Sequence, residues 1–467
     1  MGSQLYTQGI WSVAQYNANN AWLYNSTNGR INNNNKNNSN HGRALGYDVG
    51  NLGANAEFMQ LYSEIWQAYK ICRKSKIHGE KQLRFEFDCS GVLSVALSLW
   101  HFEYVPENST AFWIEQPKKR EVIAAEVSDK IIQTWYNEQI KPKLEENWYD
   151  KDSYSCRKNK GGLAAVLALR DKIDTVTNHY IYDAIIVKRD IRAFFMSIDT
   201  EVVYNHMIEF IMQNFGEDFK RRNRLMWLTR IIYRSLPQMR CVLKSHPLSW
   251  RLADERRIML GKFRGLPLGN VTSQTAANFI TTLFVEKIRD EGIEFCIYTD
   301  DIPMVIPVNS WNEWRKQIQP KIEKYIEEIL HLEWHKDKIY VQHFSKGVEF
   351  LGYKLKFDRI LPSDRVAHNF KLKTRRYIEN FDKSKYYNMS LVEDFMAMFN
   401  SYMGYLKWCN ARRLEKEQIN LLKSSNLGKC YNIYPNKIKI KKNKTRIFRI
   451  IQANKTREHY LLTKKSA

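Results

Sequence analysis

Three aspartates carry the first chemical signal in this chain. Asp300 and Asp301 are adjacent, inside Ile297-Tyr298-Thr299-Asp300-Asp301-Ile302, and Asp190 lies about 110 residues earlier, at the end of Ile185-Ile186-Val187-Lys188-Arg189-Asp190. Neighbouring carboxylates repel each other unless a cation is present. Hard divalent cations prefer carboxylate oxygens, and Mg²⁺ shared with phosphates needs only one or two of them. If Asp190 meets the pair at one sheet edge, the three can hold two Mg²⁺ ions roughly 4 Å apart. One ion would lower the pKa of an attacking 3′-hydroxyl and the other would stabilise a leaving pyrophosphate. Two alternatives need no metal: Asp300-Asp301 as an acidic turn in solvent, and Asp190 as a turn cap.

The elements around these residues must deliver them. Phe295-Cys296-Ile297 and Ile302-Pro303-Met304-Val305-Ile306 flank the pair, bounded by Gly292 and Pro307. They read as two short strands joined at a tight turn. The run ending in Asp190 reads as a third strand, which turns through Ile191 to Ile198. Helical spacing begins near Glu57 with Phe58, Leu61, Ile65 and Tyr69. A second apolar helix is expected over Leu83 to Leu99, a strand over Phe112 to Ile114, and another strand over Val122 to Ala125. Further helices are expected over Val127 to Leu144, Leu163 to about Ile173, and most of Thr200 to Ile232. The turn-rich Gly265 to Asn270 should open a helix with Thr272 or Ser273 as its cap and Ala276 to Arg289 as its body. Trp311 to Leu330 reads as an amphipathic helix and Gly347 to Leu355 as a strand pair. From about Lys371 the chain turns helical and very basic, and Leu391 to Leu406 carries the clearest apolar stripe.

The chain has 467 residues, 44% of them hydrophobic, which is enough for two or three domains and a sizeable core. Its formal net charge is +23. That excess points to a polyanionic partner, most simply nucleic acid, with an anionic membrane surface as the other possibility. No apolar stretch reaches the roughly 18 residues of a membrane span; the most apolar, Gly91 to Trp100, reads as a buried helix. The seven cysteines are scattered, with no Cys-x-x-Cys pair, which argues for a reducing compartment and against structural zinc. The chain opens on polar residues, without a signal peptide.

Six ordered segments resemble the reverse transcriptases. They are Pro117-Lys118-Lys119-Arg120, Asp190-Ile191-Arg192-Ala193-Phe194-Phe195, Gly265-Leu266-Pro267-Leu268-Gly269-Asn270-Val271-Thr272-Ser273-Gln274, Tyr298-Thr299-Asp300-Asp301, His335-Lys336-Asp337-Lys338 and Phe350-Leu351-Gly352-Tyr353. Their order is that of fingers, palm and the start of the thumb, over about residues 112–360. Most members carry Gln before the glycine and Ser-Pro after it. Leu268 and Gln274 stand at those positions here. That pattern, with the Asp152 to Lys158 loop, is similar to the enzymes of diversity-generating retroelements, which copy a template-repeat RNA and misincorporate opposite adenine.

The resemblance implies an α+β right-hand polymerase and roles for single residues. Asp190, Asp300 and Asp301 would bind two Mg²⁺ ions. Arg120, with Lys118, would contact the incoming triphosphate, a role that suits the planar guanidinium. Phe195 would stack under the sugar, with Phe194 the competitor for that place. Leu268 and Gly269 would sit by the incoming nucleotide and the template base. Lys338 would protonate pyrophosphate, with Lys336 as its rival. Gly352 and Tyr353 would belong to the primer grip, and Arg157, Lys158 and Lys160 would track template phosphates. Template RNA, cDNA primer and dNTPs follow as partners, together with a small basic accessory protein forming a pentameric barrel. A cytoplasmic, bacterial or phage-encoded setting follows as well, without a membrane.

Four regions are expected: a leader over 1–52, a helical extension over 53–111, fingers and palm over 112–360, and a basic helical thumb and tail over 361–467. Half of the residues from Asn17 to Asn40 are asparagine. As protein this leader reads as a disordered polar tail. In view of the resemblance it also looks like a translated template repeat, because asparagine codons begin with two adenines. Two other readings remain open: a group II intron or phage-defence reverse transcriptase, and a catalytically silent RNA-binding polymerase fold.

Overall fold

The computed structural model describes residues 20–25, 30–35, 56–74, 79–87, 90–115, 119–235, 237–244, 258, 264–335, 339–383 and 389–441. Within the leader, β1 (Asn20–Asn25) and β2 (Arg30–Asn35) pair as an antiparallel hairpin. The helical extension holds α1 (Ala56–Arg73), α2 (Glu80–Phe87) and α3 (Gly91–Trp100). The single helix expected over Leu83 to Leu99 is therefore two. Gly91 explains part of this: a Cβ there would meet the Phe85 ring at 2.9 Å, so the two helices close against each other at a glycine. α3 matches the most apolar stretch of the sequence and is almost wholly buried.

β3 (Ser109–Ile114) and β4 (Arg120–Ala124) form the next antiparallel pair, and α4 (Val127–Asn147) and α5 (Gly162–Val176) follow. β5 (Ala184–Asp190) leads through a one-turn helix, Phe194–Ser197, into α6 (Thr200–Asn214) and α7 (Phe219–Arg234). β6 (Cys241–Leu243) adds to β3 in parallel, completing a three-stranded sheet in the order β4-β3-β6. α8 (Val271–Asp290) is capped at Asn270 rather than at Thr272 or Ser273. Those two lie inside the helix and are buried, so core packing has claimed the residues that cap preference favoured.

β7 (Glu294–Phe295) and β8 (Asp301–Pro307) are the strands around the aspartate pair. The helix expected over Trp311 to Leu330 runs from Trp311 to Glu328, but Trp314–Ile318 is wound as a π-helical turn before α9 (Gln319–Glu328). Pro320 follows that turn and has no N–H to give to an α-helical ladder. β9 (Tyr340–His343) completes a four-stranded sheet in the order β7-β8-β5-β9. β10 (Val348–Phe350), β11 (Tyr353–Leu355) and β12 (Ile360–Pro362) make a separate three-stranded meander. The basic region holds α10 (Asp364–Lys383), α11 (Met389–Leu406) and α12 (Arg412–Ser424). It ends in a hairpin of β13 (Tyr431–Tyr434) and β14 (Lys437–Ile440), packed on α11.

The four-stranded sheet has a different core on each face, as the period of two along a strand requires. Val187, Ile302, Met304 and Ile306 join the large core beneath, shared with α1, α3, α4, α6, α7 and α8. Ile186 and Val305 join the other, with Ala165, Leu169 and Ile173 of α5 and with Phe350 and Tyr353 of the meander. A third core, around Phe370, Phe395, Phe399 and Leu422, belongs to the C-terminal helices. Among the described residues no helix is long and apolar enough to cross a membrane.

Candidate active site

β5 and β8 run antiparallel in an unbroken register from Ala184↔Pro307 to Asp190↔Asp301. Cross-strand partners share a face, so Asp190 and Asp301 stand side by side. They lie on the face of Ile186 and Val305, opposite Arg189, whose guanidinium pairs with Glu323 beneath the sheet. The turn that leads into β8 has a two-residue loop, Thr299-Asp300, closed by a Tyr298–Asp301 bridge: Tyr298 N donates to Asp301 O at 3.1 Å and Asp301 N to Tyr298 O at 3.2 Å. Thr299 begins that loop with φ +62°. Asp300 sits at the tip, within hydrogen-bonding reach of Asp190. The structure thus brings together the three carboxylates that the sequence leaves far apart.

Their electrostatics follow from this crowding. Burial, and then the adjacent Asp190, push the Asp300 carboxyl up to about 6. Burial also raises Asp301, against the opposing pull of Lys188. Lys188 stands two residues before Asp190 on the same face, and its ammonium lies 3.0 Å from Asp301 Oδ2. The other oxygen, Asp301 Oδ1, is buried with no hydrogen-bond partner among the described residues. An orphaned carboxylate oxygen beside two more carboxylates fits a cation. Among the described residues no group of three or more His, Cys, Asp or Glu side chains could by itself hold a metal ion. A metal at these carboxylates would need phosphate oxygens of a substrate to complete its coordination.

His335 N donates to Asp190 O at 2.8 Å. Lys336, Lys338 and Lys118 lie outside the described residues. Arg120, at the start of β4, is exposed and has no ion-pair partner among the described residues. Phe194 is buried in the core and Phe195 beside it is only half-buried, their rings 5.6 Å apart. This leaves Phe195 as the accessible ring of the two. The loop of Leu268 docks on the same turn, through Gly265 N to Ile198 O at 2.8 Å and Leu266 N to Phe195 O at 2.7 Å. Gly265 is required there: at φ +102° its Cβ would meet Ile258 at 2.6 Å. Leu268 is half-buried and Gly269 is exposed. Tyr353 is buried and stacks on Tyr405 with ring centroids 4.3 Å apart, and Gly352 precedes it at φ +86°.

Arg157 is a correction. Its side chain is only 6% exposed and pairs with Glu145 at 2.8 Å, while its guanidinium also donates to the carbonyls of Asp150 and Ser153. It is an internal clamp and not free for template phosphates. The Lys160 ammonium is likewise engaged, donating to Lys151 O and lying 4.7 Å from the centre of the Tyr154 ring. Lys158 alone of the three is exposed. Sequence reasoning missed Lys188 and Ser155, both of which touch the aspartate hairpin. The period of two places Lys188 on the Asp190 face and could have flagged it. Ser155 left no local signal, since its partner lies 144 residues away.

Residues 115–355, just over half of the chain, match the family model "Reverse transcriptase (RNA-dependent DNA polymerase)". The chain belongs to the reverse transcriptase family. This reverse transcriptase domain spans β4 through β11, so it includes the four-stranded sheet and the aspartate hairpin. Reverse transcriptases are nucleotidyltransferases and as a family use divalent metal ions. No curated protein matches the chain in sequence. Among solved structures it is similar to telomerase from Candida albicans in complex with a TWJ fragment of telomeric RNA. That likeness has 12% identity and a TM-score of 0.37, and covers 67% of this chain and 57% of that one. Apo telomerase from Candida tropicalis is similar at 10% identity and a TM-score of 0.40, covering 68% of this chain and 60% of that one. The chain thus spans less than two thirds of either telomerase chain.

Proposed function

We propose that the protein is an RNA-directed DNA polymerase of the diversity-generating retroelement type, copying a template-repeat RNA into cDNA with misincorporation opposite adenine. The observation that carries the polymerase part is the Asp190↔Asp301 pairing with Asp300 at the adjoining tip. In this reading Asp190, Asp300 and Asp301 hold two Mg²⁺ ions against the phosphates of a bound dNTP. Ions bound there supply Lewis-acid chemistry to a primer 3′-hydroxyl and a departing pyrophosphate. Arg120, with Lys118, takes the triphosphate; Phe195 lies under the sugar; Lys338 gives pyrophosphate its proton. Gly352 and Tyr353 seat the primer end, and Lys158 meets the template backbone. The four regions of the chain serve as leader, extension, fingers with palm, and thumb. A basic pentameric accessory protein is part of the same reading.

Leu268 and Gln274 support the subtype, and the asparagine-rich leader agrees with it. A glutamine at position 268 can hydrogen-bond near the nucleotide; a leucine cannot, so the new base pair is held by shape alone. A polar contact worth about 1.4 kcal/mol changes discrimination tenfold.

The test is primer extension on an RNA template with Mg²⁺. Wild type should extend and Asp300→Asn should lose at least a thousandfold in rate. Leu268→Gln should lower misincorporation opposite adenine about tenfold while still extending. An error spectrum unchanged in Leu268→Gln rejects the subtype mechanism. A wild type that binds template but never extends favours the silent RNA-binding fold instead.

A further inference from the structure

We propose that Ser155 is a positioning residue for the aspartate hairpin. Its hydroxyl bond to Thr299 fixes the turn that presents Asp300, and the loop around it is a brace for the site. The proposal rests on the polymerase reading of the three aspartates.

Thr299 is the first residue of a two-residue loop and has φ +62°. Glycine adopts that conformation at no steric cost, whereas a β-branched residue there is an outlier held by its surroundings. Such outliers persist only where neighbours over-determine them. The neighbour here is Ser155, whose Oγ lies 2.8 Å from Thr299 Oγ1. Two hydroxyls can share that bond in either direction, so neither needs a further partner to fix its sense.

Ser155 is itself immobilised. It is 3% exposed, and its carbonyl accepts from Asn278 Nδ2 at 2.7 Å; Asn278, on α8, is also 3% exposed. The preceding residues pair with the strand that leads into the hairpin. Tyr154 N donates to Ile297 O at 3.0 Å, and Ile297 N donates to Asp152 O at 3.0 Å. The Asp152 carboxylate accepts from Lys172 of α5 at 3.0 Å and from Arg289 of α8 at 2.8 Å. Arg157 ties the loop's own carbonyls together and pairs with Glu145 of α4. Three helices thus fix one loop, and the loop ends in one hydroxyl on the turn of the hairpin. Of the loop's cations Arg157 turns inward to hold the loop together, while Lys158 stays exposed.

The brace predicts a double-mutant pattern in single-turnover nucleotide addition by the full chain, on a poly(rA) template with an oligo(dT) primer. Ser155→Ala and Thr299→Val each remove the same bond. Each should lower the maximal rate about fivefold, the value of one neutral hydrogen bond, with the dNTP dissociation constant within twofold of wild type. The double variant should be no slower than either single one. Thr299→Ser keeps the hydroxyl and should recover most of the rate. Hydrogen exchange gives a readout independent of activity. In Ser155→Ala the segment 297–302 should exchange faster, while α6 on the opposite core stays unchanged. Additive rate losses, or an exchange rate at 297–302 equal to wild type, overturn the brace. A wild type without extension removes the polymerase reading alone, and the exchange measurement still decides the brace.

Discussion

A carboxylate kept in a crowded, buried place costs stability once it ionises, and Asp300 shows this at the scale of one residue. Its carboxyl is pushed up to about 6 by burial and by Asp190. Above that pH it ionises among like charges that a cation must relieve. Asp300→Asn removes the repulsion, so the metal-free protein should be more stable to urea by about 1 kcal/mol at pH 7.5 in EDTA. Asp129 is the same effect without the chemistry. It lies deep in the core between Tyr104, whose hydroxyl donates to it at 2.7 Å, and the backbone N–H of Glu107. Burial raises it to about 6. The folded pKa exceeds the ordinary carboxylate value, so its contribution to stability is present below pH 4 and is lost as pH rises to about 6. Asp129→Asn keeps an acceptor for Tyr104 and does not titrate. Urea unfolding should show the variant gaining about 2 kcal/mol on wild type between pH 4.5 and pH 7.

At the scale of elements, the sheet edge is held by an ion cluster that joins α5, α8 and the loop before α5. Arg289 donates to Asp150 at 2.8 Å and to Asp152 at 2.8 Å, and Lys172 bridges Asp152 and Glu294. Burial pushes the Asp152 carboxyl up, but the Arg289 and Lys172 bonds outweigh it and leave it below its usual range. Removing one member strands the others. Arg289→Leu should cost about 3 kcal/mol in urea unfolding, and the loss should shrink at low pH, where the abandoned carboxylates protonate. Much of this scale was legible beforehand. The strand ending at Asp190 and the hairpin at Asp300-Asp301 could be read because apolar runs bounded by Gly292 and Pro307 leave few other conformations. α3 and α11 could be read because their apolar stripes are long. The cluster could not be read, since its two halves, Asp150 to Lys172 and Arg289 to Glu294, are separated by more than a hundred residues and each member looks like an ordinary surface charge. Arg157 was misread for the same reason: the sequence gives a cation's charge but not the carboxylate and carbonyls that will surround it. The cap at Asn270 was missed because core packing overrode local preference, and the π-helical turn at Trp314–Ile318 because apolar spacing does not show where Pro320 interrupts the ladder.

Across the whole molecule, the charge of +23 is not spread as free cations. On α7 most arginines are already engaged: Arg221 pairs with Glu64, Arg234 with Glu201, and Arg224 donates to Leu99 O. α10 is different. Its Phe370, Thr374 and Phe381 are buried against α11 and α12, and Arg365, Lys373, Arg375 and Arg376 on its outer side are exposed. Lys373 and Arg376 line a groove with Tyr377 and Tyr402, and the Lys373 ammonium lies 5.7 Å from the centre of the Tyr402 ring. Cations beside aromatic faces suit a nucleic-acid backbone and its bases. In the polymerase reading α10 is therefore the part of the thumb that grips template and primer. Each phosphate neutralised by such a side chain releases counterions, so affinity falls with salt by a slope of roughly 0.9 per contact for a duplex. Replacing both Lys373 and Arg376 by Gln should reduce the slope of log K against log salt by about 2, measured by anisotropy on a labelled template–primer. Arg222→Gln and Arg230→Gln on α7 should leave that slope unchanged. Equal slopes in the α10 pair and wild type would move the grip off this helix. The fold's third core would then support some surface other than the one nucleic acid touches.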